Sequence, residues 1–188
     1  MREFVFFSRS AHTSGNFNDL MKAGRLDIVC HVIIMGLFVS NNVRENVRLH
    51  LFFYGPPDPP KHLEIMGNKN ISKKDVGGLI KRMLYKYKKG GRTEVFENCF
   101  IEKKGLIKFI EEQKDRNIYI LDRKGENIRN IKIKDNPIFI LGDHEGLPKK
   151  ELRRLSKSAT KVSLGHLNYF SSQVITILNH ELDNSLIE

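Results

Sequence analysis

Cysteine is scarce in this chain. Two residues in 188, Cys30 and Cys99, sit in apolar surroundings without a CxxC pair or any zinc-ligand spacing. That excludes a disulfide framework and a cysteine zinc site, and it points to a reducing, cytoplasmic compartment. Long apolar runs are missing too. The best of them, Ile28 to Val39, is shorter than the roughly 18 residues a membrane span requires and is interrupted by His31 and Gly36. At the N-terminus, Arg2 and Glu3 precede only four apolar residues, too few for a secretory signal core and better suited to a first strand. No GxGxxG and no Walker-type GxxxxGK motif occurs, which disfavours a Rossmann dinucleotide site and a phosphate loop. Acid is in deficit, with 22 Asp and Glu against 32 Lys and Arg and a net charge of +10. The balance excludes an acidic solvating protein and points to a polyanionic partner.

What remains is enough for one domain over residues 1–188, since 40% of the chain is hydrophobic. The basic excess is concentrated between residues 61 and 105, where 12 basic side chains face 5 acidic ones. Within that stretch Ile71 to Lys89 has helical spacing of Val76, Leu79, Ile80, Met83, Leu84 and Tyr87, ringed by lysines and Arg82. Such a face suits phosphate contacts, with Lys81, Arg82 and Lys86 as candidates; a merely solvated lysine face is the alternative.

Apolar patterning gives strands at Glu3 to Ser8, Val47 to Tyr54, Val95 to Ile101, Asn117 to Leu121, Ile138 to Leu141 and Lys161 to Leu164, with a weaker one at Ile128 to Ile133. Helices are expected at Ala23 to Ser40, Lys104 to Asp115, Leu152 to Lys157 and Asn168 to Leu182, and the Gly55–Pro60 segment reads as a loop. The alternation predicts an α/β fold with a largely parallel sheet flanked by helices.

In such sheets ligands bind beyond the carboxyl ends of the strands. Three strand ends run into polar or glycine-rich turns: Leu121 into Asp122, Leu141 into Gly142-Asp143-His144-Glu145-Gly146, and Leu164 into Gly165-His166-Leu167. Gly142 and Gly146 permit close backbone approach to a small ligand, although strand-to-helix turns use glycine routinely. Asp122 with Asp143 would suit a magnesium-dependent nuclease if their strands were neighbours. His31, on an apolar helix, reads as a packed histidine.

The segments IFILGDHEGLP (138–148) and KVSLGHLNYFSSQVITILNHELD (161–183) resemble the cofactor-binding end of the SPOUT methyltransferases. With MREFVFF at the N-terminus, AGRLDIVC (23–30), FVSNNVRENV (38–47) and YGPPDPP (54–60), the chain resembles the archaeal tRNA (pseudouridine-54 N1)-methyltransferases, the TrmY family. The resemblance implies a homodimer that binds S-adenosylmethionine in a trefoil knot formed by about residues 117–185, and needs no metal. Its implied cofactor contacts are Leu121, Gly142, Leu164, Gly165, His166, Leu167, Asn168, Tyr169 and Val174. Asp27 would orient the target base or take its proton, Arg25 would steady the base or a phosphate, with an Asp–Arg pair or a helix-start cap as the structural alternative, and tRNA phosphates would meet Arg9, Lys22, Arg25, Arg44 and Arg48. Two departures stand out. The family's histidine and cysteine in the final helix are Phe170 and Val174 here, and its LPG before AGRLD is Leu20-Met21-Lys22. A ribosomal RNA pseudouridine methyltransferase, a noncatalytic RNA-binding protein and the magnesium nuclease are the competing readings.

Overall fold

A computed structural model describes residues 1–184; residue 185, the last of the expected cofactor segment, lies outside them. Along the chain come β1 (Arg2–Ser8), α1 (Leu26–Leu37), the short pair β2 (Phe38–Val39) and β3 (Asn42–Val43), β4 (Val47–Phe53), β5 (Lys61–Met66) and α2 (Val76–Tyr85). They are followed by β6 (Thr93–Phe96), β7 (Cys99–Glu102), α3 (Leu106–Glu111), β8 (Ile118–Asn127), β9 (Ile138–Gly142), α4 (Lys149–Leu155), β10 (Thr160–Ser163) and α5 (Ser171–Asn184).

Eight strands form one sheet in the order β10-β8-β9-β1-β4-β5-β7-β6. From β10 to β4 every neighbour is parallel; β5, β7 and β6 extend the sheet antiparallel. Central parallel strands are covered on both faces and so read as unbroken apolar runs, as β9 and the Phe4–Phe7 stretch of β1 do. Alternation divides their side chains between two cores. Phe4, Phe6, Leu49, Leu51 and Phe139 pack with α1, α2 and α5 on one face, while Val5, Phe7, Phe52 and Ile140 meet Phe109 and Ile110 of α3 and Leu155 of α4 on the other. Each such side chain, fully buried, contributes about 1.5–3 kcal/mol relative to exposure.

Four local readings change. β5 lacks the apolar pattern of a strand because Lys61, His62 and Glu64 interrupt it, yet all three are buried, at 1%, 2% and 8% exposure. The strand expected over Val95 to Ile101 is a hairpin of β6 and β7 that turns at Asn98, whose φ is 60°. At Ile128 to Ile133 there is no strand but a 3-10 turn over Ile128–Asn130, because the Asn127 side chain accepts the Arg129 N–H at 3.0 Å and caps it. β8 continues well past Leu121: Tyr119 and Ile120 pair with Thr160 and Lys161, residues 121–125 bulge out of register, and Glu126 and Asn127 pair with Val162 and Ser163.

The last helix is fastened to the rest by polar groups. Asn179 donates to the carbonyls of Met35 and Gly36 at the end of α1, and Asp183 takes Arg2 at 2.8 Å and a two-pronged Arg44 at 2.9 and 2.7 Å. Arg44, a candidate phosphate contact, is therefore tied to the C-terminal helix. Burial raises the Asp183 pKa and its guanidinium partners lower it; the partners prevail, leaving it below the ordinary value. A carboxyl depressed on folding adds stability above its unfolded pKa, near 4, and loses it as the pH falls through the folded value. Arg44→Ala is thus expected to lower Tm at pH 7 by about 2–4 °C, a difference that shrinks as the pH is taken below about 4. Thermal melts of both proteins across pH test this, and a constant difference would refute it.

Candidate active site

The bulge of β8 at Leu121, Asp122 and Arg123 and the carboxyl ends of β9 and β10, with the start of α1, enclose a cavity of about 840 Å³, within the range of small-molecule sites. Its location follows from the chain's path after β1. There the 22–25 segment turns back against residues 10–12, with Gly24 and Arg25 both left-handed at φ 70° and 62°. A Cβ on Gly24 would stand 1.7 Å from the Ser10 carbonyl oxygen, so only glycine fits that approach. The turn delivers Arg25 to the lip of α1, where its Nε and Nη2 donate to Asp27 Oδ1 and Oδ2 at 3.0 and 2.9 Å.

Asp27 occupies the first turn of α1, where the helix dipole favours an anion. Its hydrogen bond from Arg25 holds its pKa below the ordinary value despite some desolvation, and the same contact raises that of Arg25. The site therefore presents a fixed, ionised carboxylate, suited to orienting an N–H donor and weak as a proton acceptor.

The opposite wall is the stretch after β10. Leu164, Gly165, Leu167, Asn168, Tyr169 and Val174 line the cavity together with Leu121 at the bulge of β8. Gly165 has φ 110° with no atom within 4 Å of a Cβ built there, so its need for glycine is conformational. Gly142 works from behind the wall. Its carbonyl accepts from the Ser171 hydroxyl at 2.8 Å, anchoring the start of α5, and a Cβ on it would come within 2.5–2.8 Å of Gly146 and the Leu147 nitrogen. The turn closes through Gly146 N–H to the Asp143 carbonyl at 2.9 Å. His166 is exposed and does not line the cavity.

Asp122 and Asp143 do reach this cavity, but each is already engaged. Lys161 Nζ lies 2.7 Å from Asp122, which also accepts the Lys124 N–H; Asp143 is 8% exposed and accepts the N–H groups of Arg9 and Glu145 at 3.1 and 2.9 Å. Such anchoring fixes the loop and leaves little of either carboxylate for a shared ion, against the nuclease reading.

His31 corrects the sequence reading. It is exposed, lines the cavity, and follows Asp27 by one helical turn. The four-residue spacing was the available signal, hidden by the apolar residues around it. Phe170, 77% exposed, forms part of the same rim.

The proposed phosphate contacts are divided. Arg9, Lys22 and Lys86 are exposed. Arg48 is turned inward between Glu3 at 3.9 Å and Glu64 at 3.4 Å, Lys81 donates to the Phe17 carbonyl at 2.7 Å, and Arg82 pairs with Asp75 at 2.9 Å above the Phe96 ring. The residues around α2 thus carry positive charge outward while several of them also fasten the helix.

Residues 1–187 match the family model described as "Putative SAM-dependent RNA methyltransferase". The tRNA (pseudouridine(54)-N(1))-methyltransferase of Methanococcoides burtonii is 34% identical, covering 99% of this chain and 98% of its own; that of Thermococcus gammatolerans is 32% identical with 98% of each covered. Among solved structures, Archaeoglobus fulgidus Nep1 bound to S-adenosylhomocysteine superposes with a TM-score of 0.68 at 16% identity, over 99% of both chains, and shows the shared SPOUT fold. With residues 1–187 matching the family model and relatives above 30% identity spanning the full length, the chain belongs to the family of SAM-dependent RNA methyltransferases.

Proposed function

We propose that this chain methylates N1 of pseudouridine at position 54 in the T-loop of tRNA, as its curated relatives are named to do. One observation carries the reading. The fixed Arg25–Asp27 pair and the glycine-bearing wall after β10 line a single cavity, so a base held by the first faces a ligand held by the second. The wall fits S-adenosylmethionine: Gly142 is sealed against the turn, Gly165 leaves open backbone, and Leu121, Leu164 and Val174 offer apolar contact.

When bound there, S-adenosylmethionine supplies a methyl group on a sulfonium. In pseudouridine the sugar is joined through carbon, leaving N1 with a proton; in uridine N1 is blocked by ribose. Asp27 accepts a hydrogen bond from N1–H and sets the ring's angle, Arg25 holds Asp27, and the proton leaves to water. Alignment of this kind is a principal source of rate in a displacement. A T-loop base must be turned out of its stack to enter, at a few kcal/mol. Contacts from Arg9, Lys22, Lys86 and the basic residues around α2 to phosphates offset that cost. We further place the reaction in the cytoplasm, read the 117–185 segment as the trefoil knot and the working unit as a homodimer. The press of Gly125 against the Lys161 and Val162 backbone, with a Cβ there only 2.5–2.7 Å from it, suits a segment drawn tightly past β8.

The test is isothermal titration with S-adenosylmethionine, followed by methyl transfer to T-loop RNA with pseudouridine or uridine at position 54. About one cofactor per chain and transfer to the pseudouridine RNA alone are expected. Equal transfer to both RNAs, or binding without transfer, would overturn the proposal.

A further inference from the structure

On the α3 face of the sheet, away from the methyl-transfer cavity, three polar side chains converge. His50 on β4 lies directly opposite Glu64 on β5, and His62 stands two residues before Glu64, so all three project from one face. Their ligand-capable atoms lie within 4.8 Å of one another, and Nδ1 of His50 is 3.0 Å from Nε2 of His62. Each ring is held from behind by a carboxylate: His50 Nε2 by Glu3 and His62 Nδ1 by Glu102, both at 3.0 Å. Both histidines are 2% exposed, and Phe52 stacks flat on His62 at 4.4 Å.

The row Glu3–His50–His62–Glu102 contains three hydrogen bonds and needs three protons. Two neutral imidazoles bring two. Arg116 and Lys104 already balance the end carboxylates, at 3.2 and 3.0 Å from Glu3 and Glu102, so the place left open is the one between the two ring nitrogens, which a proton or a metal ion can fill. With an ion held by His50 Nδ1 and His62 Nε2, each neutral ring donates its remaining N–H outward to Glu3 or Glu102. That is the outer-shell pattern of metal-bound histidines.

We propose that His50, His62 and Glu64 form a binding site for a divalent transition-metal ion of the zinc type, clamping β4 to β5. Zinc sits about 2.0–2.1 Å from imidazole nitrogen, which places two nitrogens of a tetrahedral site about 3.3 Å apart. The observed 3.0 Å pair thus needs to open by only about 0.3 Å. Arg92 holds Glu64 Oε2 at 2.9 Å, and the oxygen left for an ion is Oε1, whose neighbour Arg48 Nε stands 3.4 Å away without a hydrogen bond.

The experiment uses the full chain without an affinity tag, purified without chelator. Elemental analysis is expected to give about one zinc per chain. Chelator should lower Tm, and one equivalent of zinc should restore it. Cobalt(II) should give visible d–d bands with no thiolate charge-transfer band, because Cys30 and Cys99 belong to the core of the other face. Glu64→Gln and His62→Gln should lose the ion and keep S-adenosylmethionine affinity. Background metal in the wild-type chain with no Tm response to zinc or cobalt overturns the proposal, as does stoichiometric metal that survives both substitutions. Should His62→Gln fail to fold, Glu64→Gln and the wild-type cobalt spectrum decide.

Discussion

Gly142→Val is expected to weaken S-adenosylmethionine binding at least about 100-fold, a loss of about 2.7 kcal/mol. The position has no room. An added Cβ alone would sit 2.5 Å from the carbonyl carbon of Gly146 and 2.8 Å from the Leu147 nitrogen, distances no relaxation of a flexible side chain can relieve, because the atoms are backbone. β9 or the Asp143–Gly146 turn must move, and with it the Ser171 hydroxyl bonded to the Gly142 carbonyl at 2.8 Å. Overpacking of this kind costs about 1–3 kcal/mol of stability. Circular dichroism and melting must therefore accompany the titration. Gly146→Ala is the control. It has φ 73° but nothing within 4 Å of its Cβ, so the cost is backbone strain of about 1–2 kcal/mol without a collision. Unaltered affinity in a folded Gly142→Val protein would remove that turn from the cofactor site.

The contrast between these glycines shows which features a sequence carries. The GDHEG turn and the AGRLD start of α1 are local: a few adjacent residues set the backbone path, so both could be placed before any strand order was known. Parallel strands announced themselves through apolar runs such as Phe4 to Phe7. β5 did not, because Lys61, His62 and Glu64 are polar residues buried with partners, and those partners lie on other strands. Asp183 and Arg44 meet across 139 residues, a contact no window of sequence contains. The same limit misplaced His31. Periodicity shows that α1 is apolar, yet only the packing of α1 against α5, α2 and β4 decides which side is left to face the cavity.

Asp27→Asn is expected to reduce kcat for methyl transfer about 10²-fold or more while leaving the S-adenosylmethionine Kd within about twofold, because in the proposed reaction Asp27 holds the base and not the cofactor. Asparagine keeps the size and one acceptor oxygen. It loses the charge, and with it the two-pronged grip of Arg25 at 3.0 and 2.9 Å. That grip also opposes a role as proton acceptor, since it holds the Asp27 pKa below the ordinary value. The activity of the wild-type enzyme should accordingly show no rising limb with the pKa of a raised carboxyl. Arg25→Lys sharpens the distinction: it retains a cation but not the planar fork that fixes both oxygens. If Asp27 works through its angle, this variant should lose about tenfold in kcat; if charge alone matters, it should lose little. The pair could instead serve only the fold, by pinning the left-handed Arg25 and the first turn of α1, an effect worth about 0.3–1 kcal/mol. Asp27→Asn would then lower Tm and leave kcat intact, and single-turnover rates measured beside melting curves separate the two.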